Sequence, residues 1–424
     1  MKEARKPIRV DQAIEKVLAH IKEAETEVVD LLNCKDRVIA EDIYATHPVP
    51  SYNRSGFDGF AVRAEDIRAA TPENPICLKV VSTIAAEQYY SQTLQAGEAL
   101  RIMTGSRVPE GADAVVMFEI VKQGESADEI FISKPHMPGE NISYVGEDIQ
   151  NGTLLIKKGE ILTPGKIAVL AAFNYGSFRV MKRPKIGIFA TGNELIEPGN
   201  EKFEGLIMNS NAYMIYQQVK RLGGDPVYLG ILKDDLACYI DALEKALKTC
   251  DLIISTGGVS MGDFDYTLIA HEKLGATLLF NKISMRPGSV TSASVIQNKV
   301  LFGLSGNPSA CFVGVEVYVR AAIRKFMGCK EVYPYYTSAI LAEDFSKMNP
   351  YTRFVRANYK LKDQKVWIQS SGKDKSSMIH SLLHVNALMI LPGGTKGFQA
   401  GDRVQMIPLD CIEGSEDFCQ LFKS

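Results

Sequence analysis

Long apolar runs are missing from this 424-residue chain: none approaches the roughly 20 residues that cross a bilayer. The N-terminal stretch MKEARKPIRVDQAIEKVL is charged and lacks the apolar centre of a signal peptide. The eight cysteines are scattered without a CxxC pair, so neither a zinc site nor a disulfide framework is indicated. A reducing, cytoplasmic location is expected. The formal net charge of −2 argues against steering the whole molecule onto nucleic acid or an anionic membrane. Neither G-x-G-x-x-G nor G-x-x-x-x-G-K-[ST] occurs, which disfavours a dinucleotide oxidoreductase and a P-loop nucleotidase. The six histidines, at 20, 47, 136, 271, 380 and 384, stand apart from the glycine-rich loops. No serine or cysteine has the setting of an activated nucleophile. Internal repeats and low-complexity segments are absent.

What is present is an ordinary globular composition, 46% hydrophobic and 23% charged, over a length that suits two to four domains. The most informative stretch runs from Lys185 to Ala310. Three short apolar runs there, KIGIFA, DLIIST and VLFGL, read as buried strands, and each leads into a glycine-containing loop. These loops are Thr191–Leu195, Gly257–Gly262 and Ser305–Pro308. Apolar runs alternating with amphipathic helices predict a mostly parallel, doubly wound sheet, whose ligands bind at the carboxyl ends of the strands. Strands are expected at 185–190, 226–231, 251–256, 277–283 and 299–304, with helices near 211–222, 236–248, 264–274 and 308–327.

Around this α/β domain (182–330) the pattern changes. Val10 to Ala24 shows helical spacing with Asp11 placed to cap it, and Val38 to Ala45 reads as a short strand. Residues 51–145 form short strands punctuated by Gly, Pro and Asn, a small β domain inserted into a discontinuous N-terminal domain (1–50 and 146–181). Residues 331–424 show strand patterns at 337–343, 353–360, 365–369, 387–391 and 403–407, which predict a C-terminal β-barrel or sandwich.

Glu194, Asp234 and Asp265 each follow a predicted strand, so a parallel sheet would carry them to one edge. Converging carboxylates suit a hard cation such as Mg²⁺. Gly257, Gly258 and Gly288 allow close main-chain approach to a ligand, and Lys282 and Arg286, before Pro287-Gly288, add positive charge. Asn307-Pro308 is a good helix start. In the β region, the Thr104-Gly105 turn offers a hydroxyl and free N–H groups suited to an oxyanion. These features together imply an α/β enzyme acting on an anionic, phosphorylated substrate with a divalent metal.

The same residues resemble the molybdopterin molybdenumtransferase family (MoeA, and the E domain of gephyrin). The likeness covers nearly the whole chain. SGFDGFAV around Asp58, Arg101–Asp113, Gly146-Glu147-Asp148, Thr191–Leu195, Asp234-Asp235, Ser255–Thr267 and Ser305–Ser309 match the family's motifs in order. The resemblance implies insertion of molybdenum from molybdate into adenylated molybdopterin, with release of AMP and a requirement for Mg²⁺. It implies a homodimer whose site is shared between protomers, with molybdopterin adenylyltransferase as a candidate partner. On this likeness Glu194, Asp234 and Asp265 form the acidic, metal-binding group, and Asp58, Thr104 and Asp148 complete the cleft from the other copy. Gly192, Ser260, Gly262 and Asn307 would position pterin and phosphates. Arg286-Pro287-Gly288 would lie near the oxyanion, and Arg356 matches a basic position of the C-terminal region. Departures are Arg286 for a usual Lys, which keeps the charge but changes its geometry, Ser289 for a second usual Lys, Ser305 for a usual Pro, and Tyr351 where the family has a basic residue. The alternatives are a molybdopterin adenylyltransferase and a non-catalytic scaffold of the gephyrin kind. Grouped acids at a strand edge have no use in a scaffold.

Overall fold

The computed structural model describes residues 6–423 except 86, 202–203 and 258–265. It divides into two compact units. One comprises Met1–Glu41, Lys158–Pro164 and Ser177–Ser424; the other comprises Asp42–Lys157 and Gly165–Gly176.

The first unit is built on a six-stranded sheet. Its order is Asp225–Leu232, Lys185–Thr191, Leu252–Thr256, Lys299–Leu304, Ser292–Ile296, Thr277–Phe280. The first four strands are parallel, and Ser292–Ile296 runs antiparallel to both its neighbours. Alternation along the strands explains why both faces are apolar. Ile186, Ile188, Ala190, Leu252, Ile254 and Phe302 pack in one cluster with Ala212, Ile215 and Val219 of the helix Asn211–Arg221. Phe189, Ile253 and Leu301 point the other way, against Tyr239, Leu243 and Leu247 of the helix Leu236–Thr249. Chain order reverses between the Lys185–Thr191 and Leu252–Thr256 strands, which makes their carboxyl ends the switch point where such sheets bind ligands.

The predicted strands of this region occur within a few residues of their expected ends, as do the helices Asn211–Arg221 and Leu236–Thr249. Tyr266–Lys273 is the described part of the helix expected at 264–274, residues 264 and 265 lying outside the described residues. The helix expected at 308–327 is Pro308–Gly314 and Arg320–Phe326 joined by a π-helical Val315–Val319. Ser292–Ile296 escaped sequence reading because Ser, Ala and Ser carry no apolar period, although four of its five residues are buried. At the N-terminus the helix is Val10–Leu18, shorter than the pattern predicts. Asp11 does not cap it. Arg9 holds the cap position, its backbone N–H donating to Gln12 Oε1 at 3.1 Å, and Asp11 is buried in the first turn beneath the Arg9 guanidinium. Val38 and Ile39 form only isolated bridges, and the nearby strand is Ile43–Tyr44.

The C-terminal segment is a five-stranded barrel. Thr352–Lys362 pairs with both Lys365–Ser370 and Ala387–Leu391, and the ring closes through Arg403–Pro408 and Thr337–Leu341. Closure leaves no free edge, and its centre is filled by Leu341, Val355, Ile368, Met389 and Met406. The second unit contains another six-stranded sheet, ordered Ala114–Met117, Gly59–Val62, Glu98–Ile102, Ile76–Ile84, Glu129–Ile132, Val121–Gln123. Among the described residues no helix is long and apolar enough to cross a membrane.

Candidate functional site

Three strand-end loops meet at the switch point. A Cβ on Gly257, whose φ is +91°, would lie 2.3 Å from the Thr191 carbonyl oxygen, so only glycine lets these loops pass so closely. Gly306 lies beside the Gly257 Cα. Asn211, at the start of its helix, ties the loops together. Its Nδ2 donates to Thr256 Oγ1 at 3.1 Å and to the Gly306 carbonyl at 2.9 Å, and Thr256 Oγ1 donates to the Ser305 carbonyl at 3.2 Å. Ser305 Oγ accepts from the Asn307 N–H at 3.2 Å. Asn307 occupies the cap position of the helix Pro308–Gly314 without a side-chain capping bond.

A cleft of about 490 Å³ opens above this floor, lined by Thr191, Glu194, Asn209, Asn211, Gly257 and Asn307 among others. Its far wall comes from the segment after the Lys365–Ser370 strand, through Ser377 and Ile379. That segment is docked by Ser309, whose N–H donates to the Ser376 carbonyl and whose Oγ donates to the Met378 carbonyl at 2.9 Å. The buried side chains of Thr191 and Asn211 leave Oγ1 and Oδ1 unpartnered among the described residues.

Two of the three predicted carboxylates stand at this edge. The Asn193 N–H donates to Asp234 Oδ2 at 3.3 Å, and the Asp234 N–H donates to Asn193 Oδ1 at 3.2 Å. Glu194, the next residue, folds its carboxylate over Gly192, with both oxygens 2.7 Å from the place a Gly192 Cβ would take. Asp265 lies outside the described residues, as do Gly258, Ser260 and Gly262. Among the described residues no group of three His, Cys, Asp or Glu is arranged to hold a metal.

The predicted basic residues lie elsewhere. Lys282, Arg286, Pro287 and Gly288 do not line the cleft. Met285–Arg286 pairs with Thr352–Arg353 of the barrel, and Gly288, with φ of +93°, sits near the Ala310 carbonyl. Arg356 is buried, and its guanidinium donates to Asp374 Oδ1 at 2.9 Å, Ser381 Oγ at 3.3 Å and the Lys375 carbonyl at 3.2 Å. Arg353 Nη1 binds the other oxygen of Asp374 at 2.6 Å. Burial lowers the Arg356 pKa, and Asp374 offsets part of that effect. As placed, Arg356 braces the segment that forms the cleft wall.

In the second unit, Asp58 and Thr104 are joined. Asp58 Oδ1 accepts from the Thr104 N–H at 2.7 Å and from Thr104 Oγ1 at 2.8 Å. These two bonds, the backbone one foremost, hold the exposed Asp58 carboxyl below its ordinary range. Gly105 follows with φ of +82°. Asp148 is exposed, and its N–H donates to the Val49 carbonyl.

Asn211, Asn209, Ser377 and Ile379 were not singled out by sequence reasoning. Asn211 opens a helix and reads there as a neutral polar residue. Its role depends on two loops remote in sequence, so no local signal marks it.

Comparison with known proteins agrees with this architecture. The chain matches the model for the MoeA N-terminal region (domain I and II) over residues 8–174, the probable molybdopterin binding domain over 187–325, and the MoeA C-terminal region (domain IV) over 338–409. It is 45% identical over 418 residues to a molybdopterin molybdenumtransferase of Bacillus subtilis, covering 98% of this chain and 97% of that one. It is 42% identical over 415 residues to the Staphylococcus aureus (strain COL) protein of the same name, covering 98% and 99% respectively. A solved structure of the molybdopterin biosynthesis MoeA protein from Pyrococcus horikoshii superposes with a TM-score of 0.82 at 32% identity, covering 95% of this chain and 100% of that one. The overall fold is thus shared with that structure, and the chain belongs to the molybdopterin molybdenumtransferase family.

Proposed function

We propose that this protein inserts molybdenum from molybdate into adenylated molybdopterin, releasing AMP in a Mg²⁺-dependent reaction. The observation that carries the reading is the exchange of hydrogen bonds between Asn193 and Asp234, which stitches the Asp234 loop to the loop whose Glu194 lines the glycine-floored cleft. Two carboxylates of hard oxygen donors suit Mg²⁺, and Asp265 is the third residue proposed to hold it. Bound there, the ion would neutralise charge on substrate phosphates. The protein's own share is to bind and orient. Gly192, Gly257 and Gly306 would let the main chain approach the ligand closely, and Gly258, Ser260, Gly262, Ser305, Asn307 and Pro308 are the proposed contacts to its phosphate and pterin end. Lys282, Arg286-Pro287-Gly288 and, through its brace, Arg356 belong to the oxyanion side in this proposal.

The family relationship further supports a homodimer in which Asp58, Thr104, Gly105 and Asp148 of a second copy complete the cleft. It also supports four functional domains (1–50 with 146–181, 51–145, 182–330 and 331–424) and a cytoplasmic location. Molybdopterin adenylyltransferase, which would supply the adenylated substrate, is the proposed partner.

The deciding experiment supplies adenylated molybdopterin, molybdate and Mg²⁺ without ATP. Release of AMP together with active cofactor is expected. Turnover that requires ATP and unmodified molybdopterin would assign the adenylyl-transfer step instead, and no turnover under either condition would favour a scaffold.

A further inference from the structure

Glu194 is carried on a ribbon too small to hold its own shape. Leu195–Ile196 pairs in parallel with Ile207–Met208, and two-residue strands isolated from a larger sheet have little stability in water. Two flanking main-chain bonds, Ile207 N–H to the Glu194 carbonyl and Asn209 N–H to the Ile196 carbonyl, both 2.8 Å, add to it. Besides the Ala212 N–H bond to Asn209 Oδ1 and the packing of Leu195 on the core, the ribbon is tied to the domain by a side-chain clamp at Glu197. Tyr213, from the helix Asn211–Arg221, donates its hydroxyl to Glu197 Oε2 at 2.8 Å. Tyr228, from the edge strand Asp225–Leu232, donates its hydroxyl to Glu197 Oε1. The same Tyr228 hydroxyl accepts from Asn209 Nδ2 at 2.9 Å. Both arms of the ribbon therefore converge on one phenol, Glu197 from the first arm and Asn209 from the second.

The clamp is electrostatically settled. Burial, then the Glu197 carboxylate, raises the Tyr228 pKa, so the phenol stays a donor throughout the working range. The Tyr213 and Tyr228 rings lie 5.3 Å apart, which packs the two donors as a pair. Glu194 and the ribbon residues Leu195, Ile207 and Asn209 all line the cleft.

We propose that Glu197 is a positioning residue for the reaction. It sets the place of the Glu194 carboxylate by holding the ribbon between Tyr213 and Tyr228. The proposal rests on the molybdenum-insertion reading only for its kinetic consequence. Misplacing a reacting group through a remote change lowers turnover more than substrate binding.

The test measures AMP release by Glu197→Ala, Glu197→Gln, Tyr228→Phe, Glu194→Gln and the double variant Glu194→Gln/Glu197→Ala. Glu197→Ala and Tyr228→Phe should lower kcat about tenfold with KM for adenylated molybdopterin nearly unchanged. Glu197→Gln, which keeps one acceptor oxygen, should recover most of the loss. The double variant should be no slower than Glu194→Gln alone, because both changes act through one group. Additive losses, or an effect confined to KM, would overturn the assignment. Amide hydrogen exchange supplies a readout independent of activity. In Glu197→Ala, the Ile207 and Asn209 amides should exchange faster while those of Leu252–Thr256 keep their protection. Unchanged protection at Ile207 and Asn209 would sink the proposal. Absence of AMP release from the unaltered protein would refute the functional reading while leaving this exchange result to decide the clamp.

Discussion

Asn193 and Asp234 hold each other by a matched pair of hydrogen bonds, each giving its backbone N–H to the other's side chain, at 3.3 and 3.2 Å. The two residues are 41 positions apart, and the Gly192 N–H to the Leu232 carbonyl, 3.1 Å, runs alongside. A loop that bears Glu194 is thereby stitched to a loop that bears Asp234. The consequence is that Asn193, which has no chemical role of its own, governs the separation of two carboxylates.

Asn193→Ala deletes one bond of the pair, the Asp234 N–H to Asn193 Oδ1, and should therefore cost little stability, about 1 kcal/mol or less, because that bond is exposed to solvent. Its effect on activity should be larger, with the Mg²⁺ concentration for half-maximal AMP release rising several-fold. Denaturant titration beside a Mg²⁺ titration of the rate separates the two. An unchanged Mg²⁺ requirement would show that the pair does not set the metal site.

Asn211 presents the opposite balance. The residue is 9% exposed, and its amide serves two loops at once. Asn211→Ala removes both bonds and leaves the Thr256 and Gly306 acceptors short of a donor, at a cost of about 2–3 kcal/mol. Asn211→Asp should be worse, since a carboxylate would face the Gly306 carbonyl in place of a donor. Urea midpoints give the first effect, and the KM for adenylated molybdopterin should rise in any variant that still folds.

These residues also mark how much could be foreseen. The buried strands were legible because Lys185–Thr191, Leu252–Thr256 and Lys299–Leu304 are covered on both faces, which forces continuous apolar sequence. The five barrel strands showed the same clarity, each within a few residues of its prediction. Glu194 and Asp234 could be placed on one edge from strand ends alone. Asn211 and Glu197 could not, because their partners are fixed by tertiary contacts among Tyr213, Tyr228, Thr256 and Gly306. Asp11 shows the reverse error: a good capping residue by type, it was drawn into the first turn by the Arg9 guanidinium. The strand Ser292–Ile296 was hidden by its small polar residues, which tolerate burial where the central sheet turns antiparallel.

Acid should weaken the first unit through His271. This side chain is 4% exposed, its Nδ1 lies 3.1 Å from Ser294 Oγ, and burial pushes its pKa down to about 4. The fold thus keeps the ring neutral, whereas the unfolded chain takes up a proton below its ordinary value of about 6.5. Stability from this group is complete above that value and falls as pH drops toward the folded pKa. The loss between pH 7 and pH 5 should be about 2 kcal/mol. Urea unfolding at the two pH values tests it, and His271→Gln should flatten the dependence even if it lowers stability at neutral pH.

Asp58 loses its contribution in the same direction, as pH falls, but over a lower range. Its carboxyl is held below the ordinary range by the Thr104 backbone N–H first and the Thr104 hydroxyl second. The ionised form is favoured in the fold, so this contribution is present above the ordinary carboxylate pKa and fades as pH falls through the lowered folded value. Thr104→Ala deletes only the hydroxyl bond, so the Asp58 titration midpoint should move up part of the way and not return fully. Carboxyl-detected NMR titration of the two proteins measures this directly. In the proposed shared cleft, the same variant should slow AMP release, because Asp58 would then lack one of the two donors that fix its orientation. A midpoint that does not move would mean that the backbone bond alone holds the carboxylate, and that the Thr104 hydroxyl is free to serve the substrate.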